Sequence, residues 1–317
     1  MSAATAPKSG SRLERVLAAG HFAVTAEMGP PMGNDAEAVR KKAAILRGSA
    51  DAFNVTDCQT AVVRMSSIAA AAILLGEGLE PVMQMTCRDR NRIAIQADIL
   101  GASALGLKNC LCIAGDHQSK SASGKLQGHP GAKNVYDVDS VQLVSVLRGM
   151  RDEAVQEGGD KLTGGVPLFI GAAWTPMGRP VSFRALRLAK KVAAGADFIQ
   201  TQAVYDVEAF AAAMARARDL GLLERTAILP GVIVPRSAGM LRYMRENVPG
   251  IEVPDALIER MAGARDGKAE GVKVAIELVE QLRGIPGVRG AHIQAIEWEA
   301  AIPEVVAGAG LSPRPEV

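Results

Sequence analysis

The sequence predicts a single-domain α/β protein built as a (β/α)8 TIM barrel, and three observations carry that prediction. Short apolar segments alternate with longer segments of helical period, the pattern of βαβ units around a parallel sheet. A length of 317 residues suits one such barrel. No Gly-rich phosphate turn follows the first strand, as an open doubly wound sheet would normally have. That strand runs instead into Glu27-Met28-Gly29-Pro30-Pro31.

Taken in order, strands are expected at Phe22–Met28, Asp51–Asp57, Glu80–Cys87, Asn109–Gly115, Leu168–Trp174, Asp197–Val204, Ala227–Val234 and Gly290–Ile296. Helices are expected near 35–48, 65–76, 90–104, 140–156, 182–194, 206–220, 237–246 and 268–283. Asp35, Ser182 and Asp206 stand at helix starts as N-caps, because a short polar side chain there accepts from an unpaired backbone N–H. Residues 1–11 are small and polar and read as a disordered tail, leaving 12–317 as the barrel. The segment after Trp298 is rich in Ala, Gly and Pro and is expected to form a short helix before fraying. Asp116–Asp139, a long polar connection after a strand end, is a candidate lid or ligand cradle.

Composition narrows the function classes. Hydrophobic residues make up 48% and charged residues 22%, ordinary for a globular enzyme. The 36 basic and 34 acidic side chains leave a formal charge of +2, so neither a nucleic-acid footprint nor a polybasic membrane surface is indicated. The longest aliphatic run, Ile68–Leu75, falls far short of the ~20 residues that cross a bilayer. Four cysteines without a C-x-x-C pair fit reduced thiols, so the cytoplasm is the expected compartment. The four histidines show no metal-ligand spacing, and no metal is expected. Gly124-Lys125 lacks the rest of a phosphate-binding P-loop, no expected strand has an interior lysine, and neither G-x-S-x-G nor H-E-x-x-H occurs.

In a barrel the working groups sit at the C-terminal ends of the strands. Glu27 lies there among apolar sequence neighbours, where desolvation would favour its neutral form and suit a general acid; capping a loop amide or pairing with a base is the alternative. Asp116 follows Gly115, which lets backbone approach a ligand; a turn or N-cap role is the alternative. Lys190-Lys191 on the helix after strand five could meet phosphate or form a solvated face.

At Thr25-Ala26-Glu27-Met28-Gly29-Pro30-Pro31, Asn54-Val55-Thr56-Asp57, Met85-Thr86-Cys87-Arg88-Asp89-Arg90, Leu111-Cys112-Ile113-Ala114-Gly115-Asp116-His117 and Gln202-Ala203-Val204-Tyr205-Asp206-Val207, the chain resembles the methylenetetrahydrofolate reductase family. The resemblance runs from about residue 12 to 298. It implies an eight-stranded barrel holding FAD at its C-terminal face. The implied reaction opens 5,10-methylenetetrahydrofolate to a 5-iminium cation, to which reduced flavin delivers hydride, giving 5-methyltetrahydrofolate.

The same resemblance implies roles for individual residues. Glu27 is the general acid, and Asp116 contacts both folate and flavin. Gln202 touches the ligand stacked on flavin, so substrate contacts fall to Gln202, Glu27 and Asp116. Thr56, Gln84, Ala114, Gly115, Tyr136 and Trp174 line FAD, with Lys190 and Lys191 near its pyrophosphate. Gln84 stands where histidine is common, Ala114 replaces an arginine, and Trp174 replaces a tyrosine. Val234-Pro235-Arg236-Ser237-Ala238-Gly239 lacks the phenylalanine with which NADH-using members stack nicotinamide. Both NAD(P)H and a redox partner protein therefore stand as electron donors. A homo-oligomer is expected. Two other readings remain at this stage: a flavin- or folate-binding subunit active only within a larger complex, and a non-redox barrel lyase or transferase.

Overall fold

The computed structural model describes residues 6–118 and 128–317. Eight parallel strands close into a barrel in sequence order: β1 (Ala23–Met28), β2 (Ala52–Val55), β3 (Pro81–Thr86), β4 (Asn109–Ile113), β5 (Phe169–Trp174), β6 (Phe198–Ala203), β7 (Ala227–Ile233) and β8 (Gly290–Gln294). Each expected strand is present, trimmed by up to two residues at either end. The ring closes where Thr25 of β1 pairs in register with His292 of β8.

The helices are α1 (Arg12–Ala18), α2 (Ala36–Leu46), α3 (Ser67–Gly76), α4 (Arg92–Ala104), α5 (Ser140–Arg148), α6 (Arg184–Ala194), α7 (Val207–Asp219), α8 (Ala238–Asn247), α9 (Asp255–Gly263), α10 (Gly267–Arg283) and α11 (Ala301–Gly308). Asp35 and Asp206 cap α2 and α7 by accepting from Glu37 and Ala209 N–H. Ser182 does not act as a cap: it lies inside a 3-10 turn, and α6 starts two residues later. The expected helix 140–156 stops at Arg148 and passes into a π-turn over Gly149–Glu153, ending at Ala154 with φ +50°. Two helices were not foreseen, α1 and α9, and the one expected after Trp298 is α11.

Alternation along the strands builds two distinct layers. Outward residues join the helices in the main core, Cys110 and Cys112 among them. Inward residues at the N-terminal end, including Ala52, Val82, Leu111 and Leu229, pack with Leu13, Val16 and Leu17 of α1, which plugs that end. Phe169 and Phe198 stack there with centroids 5.2 Å apart. A Cβ on Gly171 would fall 2.2 Å from the Phe198 ring, so the glycine makes room for it.

Buried carboxylates tie the two chain ends to this floor. Asp51 accepts from Val24 N–H at 2.8 Å and pairs with Arg314 at 2.6 Å and Arg12 at 3.1 Å. Asp197 accepts from Ile170 N–H at 2.8 Å and pairs with Arg151 at 2.6 Å and with Lys8. Residues 9 and 10, inside the expected tail, are also held: their N–H groups donate to Glu14 at 2.8 Å each. With α1 packed across the floor, the cavity of the barrel interior lies at the opposite, C-terminal end.

Candidate active site at the barrel mouth

Toward the mouth the inward positions change from apolar to polar. Thr25 and Glu27 of β1, Asn54 of β2, Gln84 of β3, Gln200 and Gln202 of β6, and His292 and Gln294 of β8 recur at period two on their strands. Strand spacing therefore delivers them to one interior. Asn54 and Gln200 form a reciprocal amide pair, Nδ2 to Oε1 at 2.6 Å and Nε2 to Oδ1 at 2.9 Å. Gln200 Nε2 also donates to Thr25 Oγ1 at 2.9 Å, and Thr25 Oγ1 lies 3.0 Å from His292 Nδ1. All four residues are almost fully buried, so the bonds answer a polar demand that water cannot meet.

Glu27 stands above this ladder, its side chain 23% exposed. Gln294 Nε2 donates to its Oε2 at 2.9 Å, and His292 Nε2 lies 3.9 Å from the same oxygen. The apolar enclosure expected from its sequence neighbours is not what surrounds it. Those neighbours alternate outward, and amides and an imidazole face the carboxyl instead. Glu27 lines a cavity of about 150 Å³ with Gln84, Trp174, Gln202, His292 and Gln294.

A second cavity of about 270 Å³ adjoins it, with Ala173, Trp174 and Thr175 forming a shared wall. Its other side holds Ala114, Ser140, Arg184, Arg187 and Lys191. Trp174 is 3% exposed and donates its indole N–H to Arg184 O at 3.0 Å, which fixes the wall. Lys191 donates to Ala173 O. Burial, reinforced by neighbouring Arg187, lowers its ammonium pKa from 10.5 to about 8. Among the described residues lining this groove, three carry cationic side chains and none a carboxylate, with Asp139 3.9 Å from Arg187 at its edge, an arrangement suited to an anion. Lys190 is exposed on α6 and is not part of this lining.

The loops after β2, β3 and β4 are locked by a charged network. Arg88, 2% exposed, donates to both Asp89 oxygens at 2.8 and 2.6 Å, to Cys58 O at 3.1 Å and to Asp116 O at 3.3 Å. Burial opposes its charge, yet the bonds it donates to the Asp89 carboxylate hold the guanidinium above its ordinary value. Asp57 accepts from Thr86 N–H at 3.0 Å and from Arg90 at 2.7 Å. Cys58, Thr60 and Ala61 all have left-handed backbone, at φ +47°, +57° and +58°, a strained conformation that such a network can sustain.

On this rim Asp116 is exposed and accepts from Thr60 N–H at 3.1 Å. It sits at the same end of the barrel as Glu27, three strands away, and does not line the Glu27 cavity. Gly115 has φ +85°, and a Cβ there would come within 3.0 Å of Arg88 Cβ and 3.1 Å of Thr86 Cβ. Tyr136 donates to Gly115 O at 3.1 Å, and burial raises its phenol pKa. The Thr56 hydroxyl is buried and donates to Gln59 at 2.8 Å. Residues 119–127 of the expected lid lie outside the described residues. Among the described residues, no cluster of three or more His, Cys, Asp or Glu could hold a metal, and no helix is long and apolar enough to cross a membrane.

Of the residues singled out from sequence, Glu27, Gln84 and Gln202 line the first cavity, Ala114 and Lys191 the second and Trp174 both, whereas Thr56, Gly115, Asp116, Tyr136 and Lys190 line neither. Sequence reasoning gave no role to Gln200, Gln294 or His292 and weighed the histidine only as a metal ligand. The available signal was the polar residue at every second position of otherwise apolar strands, as in His292-Ile293-Gln294.

Comparison with solved structures agrees with the fold. A protein from Clostridium thermocellum, described as binding two copies of 5-methyl-5,6,7,8-tetrahydrofolic acid, superposes with a TM-score of 0.63 at 15% identity, over 94% of this chain and 99% of its own. An oxaloacetate acetylhydrolase superposes with a TM-score of 0.51 at 12% identity, over 95% of this chain and 84% of its own. In sequence, a probable methylenetetrahydrofolate reductase (NADPH) of Caenorhabditis elegans is 23% identical over 78% of this chain, and methylenetetrahydrofolate reductase 2 of Schizosaccharomyces pombe is 26% identical over 72%. This chain's match spans about a third, 35%, of the length of each of those two relatives. The family model for methylenetetrahydrofolate reductase matches residues 12–310, nearly the whole barrel, and the chain belongs to that family.

Proposed function

We propose that this chain reduces 5,10-methylenetetrahydrofolate to 5-methyltetrahydrofolate at the barrel mouth, with FAD as its flavin. One observation carries the reading: a carboxyl-bearing cavity and a tricationic groove adjoin at the shared wall Ala173–Thr175, so a proton donor and an anion site lie side by side at one barrel mouth. The groove fits the cofactor, because Arg184, Arg187 and Lys191 complement a pyrophosphate and Trp174 offers an apolar ring beside it. Ala114, Gly115, Tyr136 and Thr56 would complete the flavin's surroundings. FAD, when bound, supplies the hydride.

The residues of the chain do the rest. Glu27 gives a proton to the folate nitrogen that departs when the methylene bridge opens, leaving a 5-iminium cation. The Asp116 carboxylate at the rim favours that cation electrostatically. Gln84 and Gln202 present amide donors and acceptors suited to a pterin edge. A protein of the same fold that binds 5-methyltetrahydrofolate supports a folate ligand. Electrons come from NAD(P)H or from a redox partner protein, the second reading being motivated by the missing aromatic residue in 234–239. The cytoplasm and a homo-oligomeric state belong to the same proposal.

The test is reconstitution. Purified chain is mixed with FAD, freed of excess, reduced photochemically without oxygen, and mixed with 5,10-methylenetetrahydrofolate. Reoxidation of bound flavin with formation of 5-methyltetrahydrofolate is expected. A chain that retains no flavin refutes the proposal. Reoxidation that starts only when a second polypeptide is added selects a subunit of a larger complex.

A further inference from the structure

The ladder beneath Glu27 fixes more than packing. The Asn54–Gln200 amide pair is reciprocal, so one Gln200 N–H remains, and it goes to Thr25 Oγ1 at 2.9 Å. Thr25 is fully buried, and the acceptor within reach of its hydroxyl proton is His292 Nδ1 at 3.0 Å. An Nδ1 that accepts leaves the ring proton on Nε2. That N–H faces Glu27 Oε2 at 3.9 Å, where Gln294 already donates at 2.9 Å. Among the described residues no donor is bonded to the other oxygen, Oε1.

We infer that His292 is a positioning residue for Glu27: held as its Nε2–H tautomer by Thr25, it turns that N–H toward Oε2, the oxygen that Gln294 already bonds, and so leaves Oε1 as the oxygen that carries the transferable proton. The inference rests on the proposed role of Glu27 as proton donor. No proton passes through the imidazole. Its N–H steadies the carboxylate that forms when Oε1 releases its proton to the folate nitrogen. Of the residues lining the Glu27 cavity, Glu27 and His292 alone are titratable. The groups facing His292 are Thr25 and Glu27 from β1 and Gln200 from β6, while β7 presents only Gly231 in register. Lys42, which donates to Gly29 O at 3.0 Å two residues beyond Glu27, is paired with Glu299.

Two measurements test this. Nitrogen-15 NMR of histidine-labelled protein, with His292→Asn to assign the signal, reads the tautomer without any turnover. Nε2–H is expected in the wild type and a mixture in Thr25→Val. In single-turnover reduction, His292→Asn keeps an acceptor for Thr25 but loses the donor toward Glu27. It is expected to slow reduction about tenfold with KM changed less than about threefold, and to move the alkaline limb of the pH profile upward, because the Glu27 carboxylate loses a stabilising donor. His292→Gln, whose amide restores a donor, recovers most of the rate. A wild-type Nδ1–H tautomer overturns the inference, as does a His292→Asn enzyme with unchanged rate and limb. If His292→Asn fails to fold, the Thr25→Val limb decides in the same direction. Full activity in Glu27→Gln would overturn the Glu27 reading instead, while the tautomer would still report the ladder.

Discussion

Replacing Lys191 by Met separates the groove's function from its stability. The Lys191 ammonium is buried, and desolvation lowers its pKa from 10.5 to about 8. At 1.36 kcal/mol per pH unit, keeping it charged in the fold costs about 3 kcal/mol as an upper bound. Met removes that cost and also the bond to Ala173 O, a loss of about 1 kcal/mol. The variant is therefore expected to be more stable than the wild type by roughly 1–2 kcal/mol at pH 7. The sign follows from proton linkage. Below pH 8 the lysine is charged folded and unfolded, and the cost is fully present. Between pH 8 and 10.5 the unfolded chain binds more protons than the folded one, so wild-type stability rises and the variant's advantage disappears. Urea denaturation of the flavin-free proteins at pH 7 and pH 10 measures this directly. Flavin affinity is expected to fall in the same variant, a trade of binding for stability typical of a functional cation. A variant less stable at pH 7, or an advantage that does not change with pH, refutes the reasoning.

Three further outcomes follow from the packing. Gly115→Ala forces a Cβ into left-handed backbone against Arg88 and Thr86; a loss of about 1–3 kcal/mol by denaturant melt and weaker flavin binding are expected. Arg88→Met strips the β2, β3 and β4 loops of their shared donor but leaves Asp89, whose side chain is 43% exposed, able to rehydrate. The loss is expected at the lower end of the buried-pair range, about 3 kcal/mol, with amide exchange rising first at 57–61 and 115–118. Phe198→Ala empties the space beside Gly171 on the barrel floor, far from the mouth. It is expected to cost about 3–5 kcal/mol in thermal or denaturant unfolding while leaving flavin affinity unchanged.

The barrel was legible in the sequence because each strand is a compact apolar run and each crossover carries a helical period, signals that survive without tertiary information. Where local chemistry is ambiguous, tertiary contacts decided. Ser182 looks like an N-cap, but Pro180 and Phe183 set a 3-10 turn there. The seven residues of α1 are too few for a period to register, and their role as the barrel's floor depends on Leu111 and Phe198 from distant strands. The pattern through 149–153 remains helical, and only the backbone reveals the π-turn that ends it.

At the site, residue type and strand-end position singled out Glu27 but gave it the wrong surroundings, because its apolar sequence neighbours face outward. The imidazole and amides that do surround it come from β3, β6 and β8, all distant in the chain. Asp116 was legible as a strand-end carboxylate. Its bond to Thr60 depends on left-handed residues that no sequence motif announces.

The central claim, that Glu27 is the proton donor for folate ring opening, is tested most directly by the oxidative half-reaction of Glu27→Gln. Photoreduced, flavin-loaded variant and wild type are mixed without oxygen with 5,10-methylenetetrahydrofolate, and flavin reoxidation is followed by stopped flow. The amide cannot give up a proton, so the variant should bind flavin as the wild type does and reoxidise it more slowly by several orders of magnitude. Reoxidation at the wild-type rate would remove Glu27 from the reaction.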